Sequence, residues 1–355
     1  SNGGAGYFIL GPVTAGTGVV DLSNADGRFL PEGDNDRLRI TGGGDLDADG
    51  YLDVLTTGAL DETLAWYRNL SGTGYGPKQT LDTKLPQSVR TFVADLDGSG
   101  DVDVLTSISS LSLVSWYSGL GGGSFAPGTA LTSTLPNPNH LERVDLDGDG
   151  ILDILGASSI ANRVFWARGL GGASFGPATD LPAVLDTVSS IATSDLDSDG
   201  DLDVIATSIY SPTLVWFENL GAGSFAQQVA LTLGGSGAAA SAALDVTGDG
   251  LPEVFVARPA AFQVEYLPNL GAGAFGAPVV LSTPGLNKPD IVFAEDLDGD
   301  GDRDLVLAND FGDWDTMVLE NLGASLAAPT VLTNALNGID RIRAADLDGD
   351  GTLDL

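Results

Sequence analysis

The chain of 355 residues contains no cysteine, a single histidine (His140) and only 15 lysines and arginines. Without cysteine there is no disulfide framework, no thiol nucleophile and no cysteine-bound zinc. One histidine excludes a metal site or catalytic relay built from several histidines. The few basic residues stand against 49 acidic ones, so the formal charge is −34. Nucleic acid is therefore excluded as a partner, because its binding depends on lysines and arginines that neutralise phosphates.

Long hydrophobic runs are also missing. None approaches the roughly 18 apolar residues that span a bilayer, so no membrane insertion is expected. Charged residues make up 18% and hydrophobic residues 43% of the chain, which is an ordinary globular composition and argues against disorder. The excess of carboxylates makes cations the expected partners.

One acidic segment recurs through the chain at intervals of 50 or 51 residues. Its seven copies begin at Asp45, Asp95, Asp145, Asp195, Asp245, Asp296 and Asp346. A second segment follows in phase, an aromatic-rich run and a glycine-rich turn that ends in Phe-Gly-x-Pro or a variant of it. Each repeat resolves into four short strands, in the second repeat about 89–94, 102–108, 113–119 and 124–131. This pattern predicts an all-β fold with little helix, a seven-bladed β-propeller of four-stranded blades.

The termini extend the same repeat. Blade repeats start near residues 39, 89, 139, 189, 239, 290 and 340, and residues 7–31 are in phase with the three outer strands of a blade. We therefore expect one propeller domain over residues 1–355. Its last blade would be a composite of both termini, which closes the ring without a free strand edge.

The acidic segment has the pattern Asp-x-Asp-x-Asp-Gly-x-x-Asp, which is typical of a loop that binds a hard cation. Positions 1, 3, 5 and 9 offer carboxylates, position 7 offers a backbone carbonyl, and glycine at position 6 permits the sharp turn. Oxygen-only ligands with flexible geometry favour Ca²⁺ over Mg²⁺ or zinc. An EF-hand is excluded because position 12 is never glutamate, and the nonapeptide calcium repeat because the period is not nine.

The sequence thus predicts up to seven calcium ions, one per repeat. The predicted ligands, including the position-7 carbonyls, are Asp45, Asp47, Asp49, Tyr51 and Asp53; Asp95, Asp97, Ser99, Asp101 and Asp103; Asp145, Asp147, Asp149, Ile151 and Asp153; Asp195, Asp197, Asp199, Asp201 and Asp203; Asp245, Thr247, Asp249, Leu251 and Glu253; Asp296, Asp298, Asp300, Asp302 and Asp304; and Asp346, Asp348, Asp350, Thr352 and Asp354. The fifth loop, with Thr247 and Glu253 in place of aspartate, is predicted to bind most weakly.

Both segments resemble those of FG-GAP (VCBS-type) repeats, the units of the integrin α-subunit propeller. The resemblance covers essentially the whole chain, although residues 125–127, 225–227 and 326–329 depart from Phe-Gly-x-Pro. It implies that each metal loop joins the first two strands of a blade on one face. It also implies that ligands bind the opposite face, where the candidate partner loops are residues 57–62, 107–112, 208–212 and 309–314.

The resulting expectation is an extracellular, secreted or cell-surface, calcium-binding propeller that acts as a non-catalytic binding, adhesion or structural module. Its partner would be a protein or a surface glycan. One alternative is a lectin, or a carbohydrate-active enzyme that resembles a polysaccharide lyase. The enzyme would need a base such as His140 beside an arginine. The other is a subunit of an extracellular fibre or envelope. The tryptophans of the third strands are expected to pack within or between blades.

Overall fold

The computed structural model describes residues 8–9, 19–20, 38–58, 62–70, 75–83, 85, 88–132, 138–172, 174–181, 185–226, 229–309, 316–333, 344 and 353. Regular structure in these residues consists of 26 β-strands and one 3-10 helix, Ser109–Leu111. The expectation of little helix is confirmed for this part of the chain. No helix within it is long and apolar enough to cross a membrane.

Twenty-four of the strands form six antiparallel sheets, each made of four strands that are consecutive along the chain. Sheet one contains β3 (Leu38–Gly44), β4 (Asp53–Gly58), β5 (Leu64–Tyr67) and β6 (Gln79–Asp82); sheet two contains β7 (Ser88–Ala94), β8 (Asp103–Ile108), β9 (Leu113–Tyr117) and β10 (Thr129–Thr132); sheet three contains β11 (His140–Val144), β12 (Asp153–Ser158), β13 (Arg163–Ala167) and β14 (Thr179–Asp180). Sheet four contains β15 (Val188–Ser194), β16 (Asp203–Ser208), β17 (Thr213–Phe217) and β18 (Val229–Thr232); sheet five contains β19 (Ala240–Leu244), β20 (Glu253–Arg258), β21 (Gln263–Leu267) and β22 (Val279–Leu281); sheet six contains β23 (Pro289–Glu295), β24 (Asp304–Asn309), β25 (Thr316–Leu319) and β26 (Thr330–Thr333).

The remaining two strands pair with each other near the N-terminus. Strands β1 (Phe8–Ile9) and β2 (Val19–Val20) are antiparallel, and they fall where the repeat alignment places the second and third strands of a seventh blade. Ala344 and Leu353, from the seventh repeat, pack against the apolar cluster of sheet six. The described residues show six complete sheets and no closed ring. The seventh blade and the closure of the ring remain predictions.

The hydrophobic core lies between consecutive sheets. The first strands of neighbouring sheets contact each other, from β3 against β7 to β19 against β23, and apolar clusters join each sheet to the next. Every residue of the second strands β8, β12, β16, β20 and β24 is buried. Continuous apolar runs such as residues 204–206 form these strands because both of their faces are covered.

Tryptophans of the third strands pack across the gaps between sheets. The Trp166 ring meets Phe225 of the next sheet edge-on at 6.4 Å, and Trp216 meets Phe275 in the same way at 5.9 Å. A Cβ at Gly223 would lie 2.3 Å from the Trp166 ring, so glycine there admits the indole. The expectation that these tryptophans pack between blades is confirmed for the pairs described.

For the fourth strand of the second repeat, the predicted first residue was wrong. The sequence pattern predicted residues 124–131, whereas β10 begins at Thr129. Phe125 makes only an isolated bridge to Gly119. Pro127 follows, and proline has no N–H to donate to a ladder, so regular pairing begins only beyond it.

Candidate metal centres

Each acidic segment forms the loop that connects the first and second strands of its sheet. The first to sixth metal loops are residues 45–53, 95–103, 145–153, 195–203, 245–253 and 296–304. The predicted seventh loop, Asp346 to Asp354, lies outside the described residues except for residue 353. The position of the metal loops between the first two strands agrees with the FG-GAP resemblance.

The first aspartate organises each loop from within. In the first loop, Asp45 accepts the N–H of Asp49 on Oδ1 and the N–H of Gly50 on Oδ2, both at 2.9 Å. The sixth-position glycine makes the same bond in all six loops. Its φ there lies between 82° and 99°, a region that residues with a Cβ adopt at a cost. The predicted reason for glycine at this position is confirmed.

The ninth-position carboxylate is buried and is held by backbone N–H groups. Asp53, with no exposed surface, accepts Leu46 N on Oδ2 and Asn69 N on Oδ1, at 2.9 and 2.7 Å. Burial raises the pKa of Asp53 to about 6 and that of Asp203 to about 7, because burial penalises the charged form. The same cause raises the pKa of Asp153, Glu253 and Asp304.

Five of the six described loops bring three carboxylates within 4.8 Å of one another. In the first, second and third loops the three are at positions 1, 3 and 9, and in the fourth and sixth loops they are at positions 1, 3 and 5. The clusters are Asp45, Asp47 and Asp53; Asp95, Asp97 and Asp103; Asp145, Asp147 and Asp153; Asp195, Asp197 and Asp199; and Asp296, Asp298 and Asp300. Within the described loops, the fifth forms no such cluster, because Thr247 replaces the third-position carboxylate.

The donor set fits a hard divalent cation. Every side chain in the five clusters offers carboxylate oxygen, the ligand that Ca²⁺ prefers. Asp47 adds a specific signal, since its side chain is 6% exposed and its Oδ1 is buried without a hydrogen-bond partner. A buried carboxylate oxygen without a partner is costly unless a cation or a donor satisfies it. The carbonyl of Tyr51 and its counterparts at position 7 would complete such a site.

The structure also shows a charged neighbour that the sequence reasoning missed. Arg68, immediately after β5, places Nε 2.6 Å from Oδ2 of Asp47 and Nη2 3.0 Å from Oδ2 of Asp49. Arg168 repeats the arrangement in the third loop, 2.5 Å from Asp147 and 2.8 Å from Asp149. The signal in the sequence was a fixed spacing, since both arginines follow the first aspartate of their loop by 23 residues.

Asparagine side chains link metal loops of neighbouring sheets. Asn219 donates its backbone N–H to Asp203 of its own sheet and its Nδ2 to the carbonyl of Leu146 in the third loop, both at 2.7 Å. Asn269 makes the equivalent side-chain bond to Leu196 in the fourth loop, and Asn321 to Asp245 in the fifth. The second and third sheets carry Gly119 and Gly169 at this position, which have no side chain to make the link.

The opposite ends of the sheets carry exposed apolar side chains. The loops between the second and third strands of sheets two to five present Leu111, Ile160, Tyr210 and Phe262, which are 54–76% exposed. Phe262 has a φ of 59°, and this left-handed conformation closes its hairpin. Two of the candidate partner loops, 107–112 and 208–212, lie here, while most of 309–314 is outside the described residues. His140 begins β11, is 9% exposed and lies 3.8 Å from Glu142.

Comparison with known families agrees with this architecture. The model of the FG-GAP-like repeat matches residues 45–106, 95–156, 145–206, 195–256 and 296–355. The chain belongs to the FG-GAP-like repeat family. The match begins at five of the seven acidic segments of this FG-GAP-like protein, and the segment at Asp245, which lacks a carboxylate cluster, does not begin one. A search of curated protein sequences finds no match.

Solved structures with similar folds are β-propeller proteins of low sequence identity. An Agrocybe aegerita lectin that recognises non-reducing terminal N-acetylglucosamine is 21% identical, with a TM-score of 0.64 over 95% of this chain and 92% of the lectin. BBS1N, solved in complex with ARL6DN, is 13% identical with a TM-score of 0.57 over 82% of each chain. Virginiamycin B lyase from Staphylococcus aureus is 14% identical with a TM-score of 0.52, over 82% of this chain and 88% of the lyase. At these identities the likeness shows the fold alone.

Proposed function

We propose that this FG-GAP-like protein is an extracellular, calcium-stabilised and non-catalytic binding module. Calcium would be held by the metal loops, and a protein or glycan partner would be held by the opposite ends of the sheets. The observation that carries the proposal is a difference between the two ends of the sheets. Clustered carboxylates lie in five metal loops at one end, and the exposed aromatic rings of Tyr210 and Phe262 lie on short loops at the other.

The role of calcium would be structural. Without a cation, each metal loop holds close carboxylates whose mutual repulsion opposes folding. Extracellular calcium modules have dissociation constants of about 10⁻⁴–10⁻³ M, and at millimolar calcium each site then adds roughly 0.5–2 kcal/mol. Several such sites together are comparable with a typical folding free energy of about 5–15 kcal/mol. The extracellular location is proposed because sites of this affinity are filled only at the millimolar calcium of that compartment.

The calcium proposal is tested by calorimetry. The melting temperature of the protein should fall when EDTA removes calcium, should recover on addition of excess calcium, and should respond less to magnesium because magnesium retains its waters. Asp45→Asn with Asp195→Asn should reduce the calcium-dependent part of the shift. Equal melting temperatures with calcium and with EDTA would refute the proposal.

The partner face is tested by paired surface variants. The first is Tyr210→Ser with Phe262→Asn, in which asparagine tolerates the positive φ of residue 262. The matched control is Leu220→Ser with Leu270→Ser, which removes leucines of 57% and 65% exposure from the same two sheets at the metal-loop end. A glycan array and a binding screen with extracellular proteins should identify a partner that the first variant loses and the control keeps. Loss in the control alone would place the partner on the metal-loop face.

Among partners, a glycan has specific support. The rings of Tyr210 and Phe262 are exposed and suit stacking on sugar faces, and a fold neighbour is an N-acetylglucosamine-recognising lectin. A lyase role has less support, because the buried His140 is poorly placed to act as a base on a polymer. Incubation with acidic polysaccharides should therefore yield no unsaturated products. Sedimentation should show a monomer, whereas large ordered assemblies would favour a fibre or envelope subunit.

A further inference from the structure

The six described metal loops differ in the residue that follows the third strand beside them. We call this residue the flanking residue. It is followed in the sequence by a glycine or an asparagine, which lies beside the ninth position of the loop. The flanking residues of sheets one to six are Arg68, Ser118, Arg168, Glu218, Pro268 and Glu320. Two of these residues are positively charged, two are uncharged and two are negatively charged.

The flanking side chain contacts the metal loop directly in the first, second and third sheets. Arg68 and Arg168 pair with the third- and fifth-position aspartates. In the second sheet the Ser118 hydroxyl donates to Oδ2 of Asp97 at 3.3 Å. The same carboxylates that would bind a cation on one oxygen thus meet the flanking side chain on another. In Asp47 the two carboxylate oxygens differ in this way, because Oδ2 pairs with Arg68 and Oδ1 is buried without a partner.

The seventh loop position adds to the difference in charge. It is uncharged in the first and third loops, Tyr51 and Ile151, but aspartate in the second, fourth and sixth. Counting the nine loop residues and the flanking residue, the formal charge is −3 for the first and third loops, −4 for the second, −6 for the fourth and −5 for the sixth. A divalent cation would be attracted more strongly by the more negative loops, since Coulomb attraction increases with the opposite charge near it.

We propose that the flanking residue grades the calcium affinities of the loops, so that the arginine-flanked first and third loops fill at higher calcium than the glutamate-flanked fourth and sixth. The proposal rests on the proposed calcium function. Arg68 and Arg168 neutralise part of the ligand charge and compete for outward carboxylate oxygens, whereas Glu218 adds charge beside Asp197. The protein would then be partly loaded over a wide range of calcium concentration, with its sheets stabilised in sequence.

The grading is tested by calcium titration of the whole protein, with equilibrium dialysis or isothermal calorimetry as the readout. Arg68→Gln with Arg168→Gln should tighten two sites by roughly two- to fivefold, the range expected when one partly exposed positive charge is removed from each loop. The matched control is Arg163→Gln. Arg163 belongs to sheet three, has a side chain 39% exposed and pairs with Asp180 away from the metal loops, so its removal should leave the isotherm unchanged.

A reciprocal variant gives the opposite sign. Glu218→Arg should weaken the fourth site, whose formal charge would change from −6 to the −4 of the second loop, without changing the total number of ions bound. Calcium binding by the wild-type protein with an isotherm that neither Arg68→Gln and Arg168→Gln nor Glu218→Arg alters would overturn the grading and leave the proposed function intact. Equal shifts from the Arg163→Gln control would also overturn it, because net charge would then suffice. Absence of calcium binding by the wild-type protein would refute both the grading and the proposed function.

Discussion

Asn219 supports the sharpest prediction about stability, because its side chain joins two sheets at a fully buried position. The side chain has no exposed surface. Its Nδ2 donates to the carbonyls of Leu146 and Leu202 at 2.7 and 3.0 Å, and its Oδ1 accepts the N–H of Gly221 at 3.1 Å. Substitution by alanine removes all three bonds and keeps the backbone N–H that holds Asp203.

The expected cost follows from the groups left without partners. A buried acceptor that loses its donor costs about 1–3 kcal/mol. The Leu146 carbonyl faces the contact between sheets three and four, and Gly221 is part of a turn that water reaches. We therefore expect Asn219→Ala to lower the free energy of unfolding by about 2–4 kcal/mol, which is a large part of a typical total of about 5–15 kcal/mol.

The assay is urea unfolding followed by tryptophan fluorescence, in calcium and in EDTA. The control is Gln79→Ala, which removes an amide side chain from an exposed position of β6. The control should change the unfolding free energy by less than about 1 kcal/mol. If Asn219→Ala unfolds at the same urea concentration as the wild-type protein, the bond between the loops contributes nothing and the reasoning is wrong.

Three further predictions concern the metal loops and the core. In EDTA, the fold should become less stable as pH rises from about 4 to about 7, by roughly a few kcal/mol in total from Asp53 and Asp203. The folded pKa values of these residues, about 6 and about 7, lie above the ordinary value, so the folded state holds their protons more tightly than the unfolded state does. Unfolding of the wild-type protein and of Asp203→Asn as a function of pH measures this. Thr247→Asp should create a carboxylate cluster in the fifth loop and tighten its calcium site by about tenfold or more in a calcium titration. Trp216→Ala should cost about 3–5 kcal/mol in urea unfolding, because a 2% exposed indole leaves a cavity between sheets four and five.

Each of these has an outcome that contradicts it. For pH, equal stability of the EDTA-treated wild-type protein at both ends of the range would show that the buried carboxyls titrate as they do in the unfolded chain. For the fifth loop, Ser282→Asp adds the same charge at an exposed position just after β22. An equal gain in calcium affinity from Ser282→Asp would show that the added charge, and not a carboxylate cluster, tightens binding. For the core, Tyr210→Ala removes an aromatic ring that is 76% exposed, and a loss as large as that of Trp216→Ala would contradict the packing argument.

Much of the candidate metal site could be predicted without coordinates because its chemistry is local. Nine consecutive residues place the carboxylates, and the glycine at the sixth position allows the turn that brings them together. The backbone bonds inside each loop, such as Gly50 N to Asp45, join residues only a few positions apart. The spacing of Asp and Gly in one loop therefore indicates its shape with little help from the rest of the fold.

The repeat period, the all-β class and the four strands per repeat were equally accessible to the sequence, because alternation of apolar runs and glycine-rich turns is a local property repeated seven times. Only the tertiary structure decided which distant groups meet the loops. Arg68 reaches Asp47 because β4 and β5 pair side by side, and Asn219 reaches Leu146 because sheets three and four pack face to face. Burial of Asp203, and with it the raised pKa, likewise depends on that packing and not on the nine residues of its loop.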